Sequence, residues 1–185
     1  MWRQRKTWEG PKHPWQKARI LEEKKLLKEY GLKNKREIWK AETIARKIRK
    51  YARYLNAKKA LGFDISKEAE LFLKKLKKYG FIPENANLDD VLNVTVRDIL
   101  ERRLQTLVWK KGLAKTIKQA RQLITHGHIV IGDRVVDSPG YLVLKEEEDL
   151  IRYHPFSPLA DPNHPLRIDI EKKNKVVEEN AENKE

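Results

Sequence analysis

The chain contains no cysteine, one methionine and only four phenylalanines among its 185 residues. The absence of cysteine rules out disulfides and thiolate metal sites at once. Hydrophobic runs are short, as in Tyr141-Leu142-Val143-Leu144, so nothing matches a membrane span or the core of an export signal. A wide apolar helix face bearing Trp or Phe and a lipidation signal are also missing, which argues against a membrane-surface protein. A cytoplasmic location is the expectation that follows.

Positive charge is what the chain has in excess. Lys and Arg number 41 against 27 Asp and Glu, giving a formal net charge of +14 and a sequence pI near 9.8. The excess is confined to one region. Residues 1–60 hold 20 basic and 6 acidic side chains, and the other 125 residues hold 21 of each. A block this basic is best accommodated by phosphates, whose binding releases condensed counterions. The composition therefore points to a nucleic-acid binder.

The arm from Met1 to Pro14 has no usable periodicity. Its Arg3, Arg5, Lys6 and Lys12 suit phosphates, and its Trp2 and Trp8 suit stacking on bases or sugars; the other reading is a disordered tail. Pro14 and Gly31 bracket a first helix. A second is expected from about Arg36 to Leu61, with Ile38, Ala41, Ala45, Ile48, Ala52 and Leu55 at helical spacing. Arg46, Lys47, Arg49, Lys50 and Arg53 take much of its remaining surface, either lining phosphates or merely solvating a face. A third helix, capped by Ser66, ends near Gly80. Its last-turn lysines also suit the helix dipole.

Residues 81–87 read as a connection, and the chain then changes character. Thr95 and Asp98 form a capping box ahead of one long amphipathic helix that includes Ile99, Leu104, Leu107 and Val108. Lys111-Gly112 ends it. Thr116 caps a shorter helix whose Ile117, Ala120 and Ile124 face one way. The period then switches to two: His128–Ile131 and Arg134–Val136 flank the turn Gly132-Asp133. Strands are expected at Tyr141–Leu144 and Leu150–Tyr153, with an acidic turn at 146–149 between them. The fold class is α+β: a basic N-terminal helical region, and a two-helix module with a small antiparallel sheet. The expected divisions are residues 1–94, the module at 95–153, and a Pro-rich extended segment with a charged tail at 154–185.

The run from Asp98 to Val108, followed by Gly112 to Ile129, resembles the RNA-binding module of the ribosomal protein S-four family. Arg36-Glu-Ile-Trp-Lys and Tyr51-Ala-Arg-Tyr-Leu resemble its archaeal and eukaryotic branch, and the likeness runs from Met1 to about Leu166. It implies a primary binder of the 5′ domain of small-subunit ribosomal RNA, holding a multi-helix junction early in assembly. It also implies ribosomal-protein neighbours and a place near the messenger entry, with messenger RNA as a further contact. Matched onto this chain, the module's RNA-facing residues are Arg102, Arg103, Thr116, Lys118, Gln119, Arg121, Gln122, His126 and His128. The family's usual Asn-Gly turn stands here as Gly132-Asp133. Some bacterial members carry a cysteine zinc cluster, which this chain cannot form.

Lys118 and Arg121 lie three apart on one helix face and can address one RNA backbone, while Gln122 and Thr125 add neutral hydrogen bonds. Arg103, nearer the face's boundary, has a structural salt bridge as its alternative. Trp109 suits either stacking or packing against the N-terminal helices. His126 and His128 lack a third metal ligand, so backbone or phosphate contact is the expectation. Lys115-Thr116 lacks the glycines of an ATP phosphate loop. No acid, base or nucleophile constellation emerges, and no cofactor, small-molecule substrate or membrane is expected. The alternatives are a pre-ribosomal processing factor of the same family, an RNA-modifying enzyme bearing the module, and a DNA-binding repressor.

Overall fold

A computed structural model describes residues 6–170, which separate into two compact units meeting at Arg102 and Arg103. Arg3 and Arg5 lie outside the described residues, as do Trp2 and the charged tail beyond 170.

The first unit is helical. It contains α1 (Lys17–Glu29), α2 (Lys35–Ala60), α3 (Ser66–Tyr79) and α4 (Val96–Glu101), with a 3-10 turn at Asp90–Asn93. The central element is α2, which packs against α1, α4 and the 3-10 turn. Its buried residues repeat at helical spacing, and Ala45, Ala52 and Leu55 are wholly inaccessible. Three of these positions, Ala41, Ala45 and Ala52, are small, which lets neighbouring backbone approach closely. Ser66 proves to be the first helical residue of α3, not its cap. The Asp64 carboxylate accepts from both the Ser66 amide (2.9 Å) and hydroxyl (2.7 Å), doing the capping from two residues upstream. At the other end Gly80 adopts φ 70°, the left-handed geometry that closes a helix.

From residue 6 to Gln16 the arm has no helix or strand, and Trp8 is half-buried. It packs on Trp39 of α2 with ring centroids 5.1 Å apart, and the Lys6 ammonium covers it at 3.9 Å. The Glu9 amide donates to the Thr43 hydroxyl at 3.0 Å, tying the arm to the same helix.

The long helix expected after Thr95 is interrupted. Asp98 accepts from the Thr95 amide at 2.7 Å while the Thr95 side chain faces the Asp98 amide, as the capping box requires, but α4 stops at Glu101 and α5 (Leu104–Lys110) begins afresh. Arg103 is extended (φ −75°, ψ 142°) and bridges to Leu142. The freed amides of Leu104 and Gln105 donate to the carbonyls of Tyr141 (2.8 Å) and Pro139 (3.3 Å). Backbone pairing with residues 139–142 therefore replaces one helical turn.

The second unit comprises α5, α6 (Ile117–Thr125), β1 (Ile129–Ile131), β2 (Arg134–Val135), α7 (Lys145–Glu148) and β3 (Ile151–Tyr153). The strands form an antiparallel sheet in the order β2-β1-β3, with Ile131 opposite Arg134 and Val130 opposite Arg152. Gly132 takes φ 61° in the β1–β2 turn, as the tight hairpin demands. The strand expected at Tyr141–Leu144 is only the single bridge at Leu142, and the acidic turn is the short helix α7. The missing strand has a backbone cause: the partner of residues 139–142 is the α4–α5 break, not the sheet.

One core joins α5, α6 and the sheet, with Leu104, Val108, Ala120, Ile124, Ile129 and Val143 at 0% exposure. Leu159 belongs to the same core, so the segment after the sheet packs against it and is not wholly extended. This segment forms a 3-10 turn at Pro158–Ala160 and turns helical at 165. The α+β class expected from the sequence is the class observed.

Candidate nucleic-acid interface

In the second unit the candidate site is the outer surface of α6. Thr116 caps the helix by accepting from the Gln119 amide at 3.1 Å, and the Gln119 side-chain oxygen accepts from the Lys115 amide at 2.7 Å. These two residues thus build the helix start, and each spends an acceptor on it. Lys118 is exposed, with no hydrogen bond or ion pair inside the described protein. Arg121 is half-buried and anchored: its guanidinium donates to the Gln105 side-chain oxygen at 3.3 Å. Gln105 is 1% exposed, and its amide donates to the Ile117 carbonyl at 3.0 Å. A buried glutamine on α5 therefore sets the position of a cation on α6, a link that periodicity does not reveal.

The Gln122 side chain is exposed and without a hydrogen-bond partner among the described residues, whereas the Thr125 hydroxyl donates back to the backbone carbonyls of Arg121 (3.1 Å) and Gln122 (3.0 Å). That back-bonding removes Thr125 as a donor to an RNA. His126 is exposed at the helix end, and Gly127 follows with φ 73°. His128 is half-buried, its Nδ1 2.9 Å from the hydroxyl of the buried Ser157. Trp109 is 42% exposed.

The two arginines at the break differ. Arg102 is partly exposed at the end of the first unit. Arg103 is 7% exposed, and its guanidinium packs so tightly on Gly140 that a Cβ there would lie 3.3 Å from it. The Arg103 side chain therefore packs against Gly140 inside the second unit.

In the first unit the basic residues of α2 separate into two sets. Arg46 pairs with Glu9 and, at 3.0 Å, with Glu42. Arg49 donates to the Val94 carbonyl at 2.6 Å, tying α2 to the start of α4. Arg49 thus ties two segments together, whereas the Arg46 pairs lie at the surface. Lys47, Lys50 and Arg53 are exposed, have no partner within the described protein, and project opposite the buried stripe. On the same helix Tyr51 and Tyr54 are 41% and 51% exposed, with ring centroids 6.1 Å apart.

The first unit also holds a buried carboxylate. Glu23, 5% exposed, accepts from the Trp39 indole at 3.0 Å, sits 3.0 Å from the Lys35 ammonium, and pairs with Arg19. Burial works to raise its carboxyl, but Trp39, Lys35 and Arg19 outweigh that and hold it below the usual glutamate value. Among the described residues no group of three or more His, Cys, Asp or Glu could hold a metal ion, and no helix is long and apolar enough to cross a membrane.

Residues 102–149 match the S4 domain. The chain is 67% identical over 181 residues to small ribosomal subunit protein uS4 of Nanoarchaeum equitans, covering 98% of this chain and 100% of that protein. It is 52% identical to the protein of that name from Picrophilus torridus, over 90% of this chain and 92% of the relative. The corresponding Hyperthermus butylicus protein is 57% identical, over 84% of this chain and 88% of its own length. Likeness of this extent spans both units, not the module alone. The chain belongs to the uS4 family of small ribosomal subunit proteins, which are structural components and not enzymes.

Proposed function

We propose that the protein is a constituent of the small ribosomal subunit that binds a multi-helix junction in the 5′ domain of its RNA and helps the subunit assemble. In this reading it lies near the messenger entry, beside other small-subunit proteins and within reach of messenger RNA. The observation that carries the reading is the outward face of α2. There Lys47, Lys50 and Arg53 stand unpaired, while Arg46 and Arg49 have partners within the protein. Three unpaired cations at helical spacing suit a run of phosphates. On α6, Lys118 and the anchored Arg121 supply a second set, with Gln122, His126 and His128 beside them. Arg102 and the arm residues Arg3, Arg5 and Lys6 belong to the same proposal.

Arg121→Ala is expected to weaken binding to small-subunit rRNA by about 1–3 kcal/mol, the scale of charge-assisted hydrogen bonds. Filter binding or fluorescence anisotropy at moderate salt measures it, with circular dichroism confirming an intact fold. Unchanged affinity would remove α6 from the interface.

A further inference from the structure

The second unit carries an open groove of about 530 Å³. One wall is the S4 domain itself: Gln119, Gln122 and Leu123 of α6, with His126 and His128 just beyond. The other wall is not part of that domain. It consists of Pro158, Leu159, His164 and Leu166 from the segment that follows the matched residues 102–149. We propose that this groove receives a single unpaired RNA base, and that the segment 158–166 is half of the binding site. The proposal rests on the RNA-binding reading above and names what one part of that surface takes.

The chemistry of the lining supports a base over other occupants. Leu166 and Pro158 give exposed apolar surface for the flat face of a ring, and the buried Leu123 and Leu159 lie beneath it. No carboxylate lines the groove, and the exposed Lys118 lies four positions before Gln122, one turn along the same helix face, where it can meet the adjoining phosphate. The polar groups are partly committed in a way that leaves donors. The Gln119 oxygen is occupied by the Lys115 amide, so its side-chain NH₂ remains. The Nδ1 of His164 accepts from the Leu166 amide at 3.3 Å, so the neutral ring carries its proton on Nε2 and can donate. Gln122 offers both a donor and an acceptor, the pair needed to read a base edge. The groove is large enough for one base and too small for a duplex, so it selects an unstacked nucleotide.

The experiment uses the full chain, ¹⁵N-labelled, and follows the imidazole signals of His126, His128 and His164. The probes are single-stranded oligo(A), oligo(C) and oligo(U), with an abasic strand of equal length as the backbone control. At least one base-bearing strand is expected to shift His128 and His164 together, while the abasic strand does not. Gln122→Leu and His164→Leu are each expected to weaken that response about tenfold, the scale of one or two lost hydrogen bonds. Equal shifts with the abasic strand would overturn the proposal in favour of a phosphate site. Absence of shifts from every strand, with salt-dependent rRNA binding retained, would overturn the groove alone. Loss of rRNA binding in the unaltered protein would overturn both readings.

Discussion

Replacing Lys47, Lys50 and Arg53 together by glutamate is expected to weaken binding to small-subunit rRNA by at least ~100-fold, since three charge-assisted contacts each contribute on the order of 1 kcal/mol or more. The salt dependence should flatten as well, by roughly 2–3 in the slope of log affinity against log salt, because three fewer phosphates are neutralised. The fold should survive. All three side chains are exposed and unpaired within the described protein, and glutamate forms helix about as readily as lysine or arginine. Affinity measured across a salt series, with the helical circular-dichroism signal as control, checks both parts. A variant that bound as tightly, or whose slope was unaltered, would show that this face of α2 does not meet the RNA.

The second large effect concerns stability. Glu23→Ala is expected to lower the unfolding free energy of the first unit by roughly 3 kcal/mol. Substitution removes the Trp39 acceptor and leaves Arg19 and Lys35 without their buried partner. The stabilisation should also depend on pH. The Glu23 carboxyl lies below its ordinary value of 4.5 in the folded protein, so its contribution is fully present above that value. It is lost as the pH falls through the lowered value, where the folded carboxylate takes up its proton. Urea unfolding followed by tryptophan fluorescence should therefore separate the wild type from Glu23→Gln near neutrality, with the gap closing in acid. An equal gap at both pH values would assign the effect to packing instead of charge.

Much of the fold was legible because α2 and α6 bury regular apolar stripes, α3 ends on its Gly80 stop, and the β1–β2 hairpin has its turn glycine. What escaped was set by distant backbone partners. Leu100 and Leu104 are spaced four apart whether or not a helix runs between them, so the pattern could not show that Arg103 leaves the helix to bridge Leu142. The same pairing took Tyr141–Leu144 out of the sheet. Basic residues of one helix were also indistinguishable by sequence. Arg46 finds Glu9 and Glu42 while Arg49 finds the Val94 carbonyl, and those partners lie up to 45 positions away. Arg103 was assigned to the RNA-facing set by the family resemblance, and its packing on Gly140 depends on a residue 37 positions away. The groove was invisible for a related reason. His164 and Leu166 sit in a Pro-rich stretch with no periodicity, and only the burial of Leu159 in the core brings them beside α6.

Chemical footprinting of the purified protein on naked small-subunit rRNA tests the central claim most directly. The account predicts protection concentrated at one multi-helix junction of the 5′ domain, lost with the Lys47, Lys50 and Arg53 charge reversal and weakened by Arg121→Ala. Protection scattered along the RNA, or focused on another domain and indifferent to those substitutions, would contradict it.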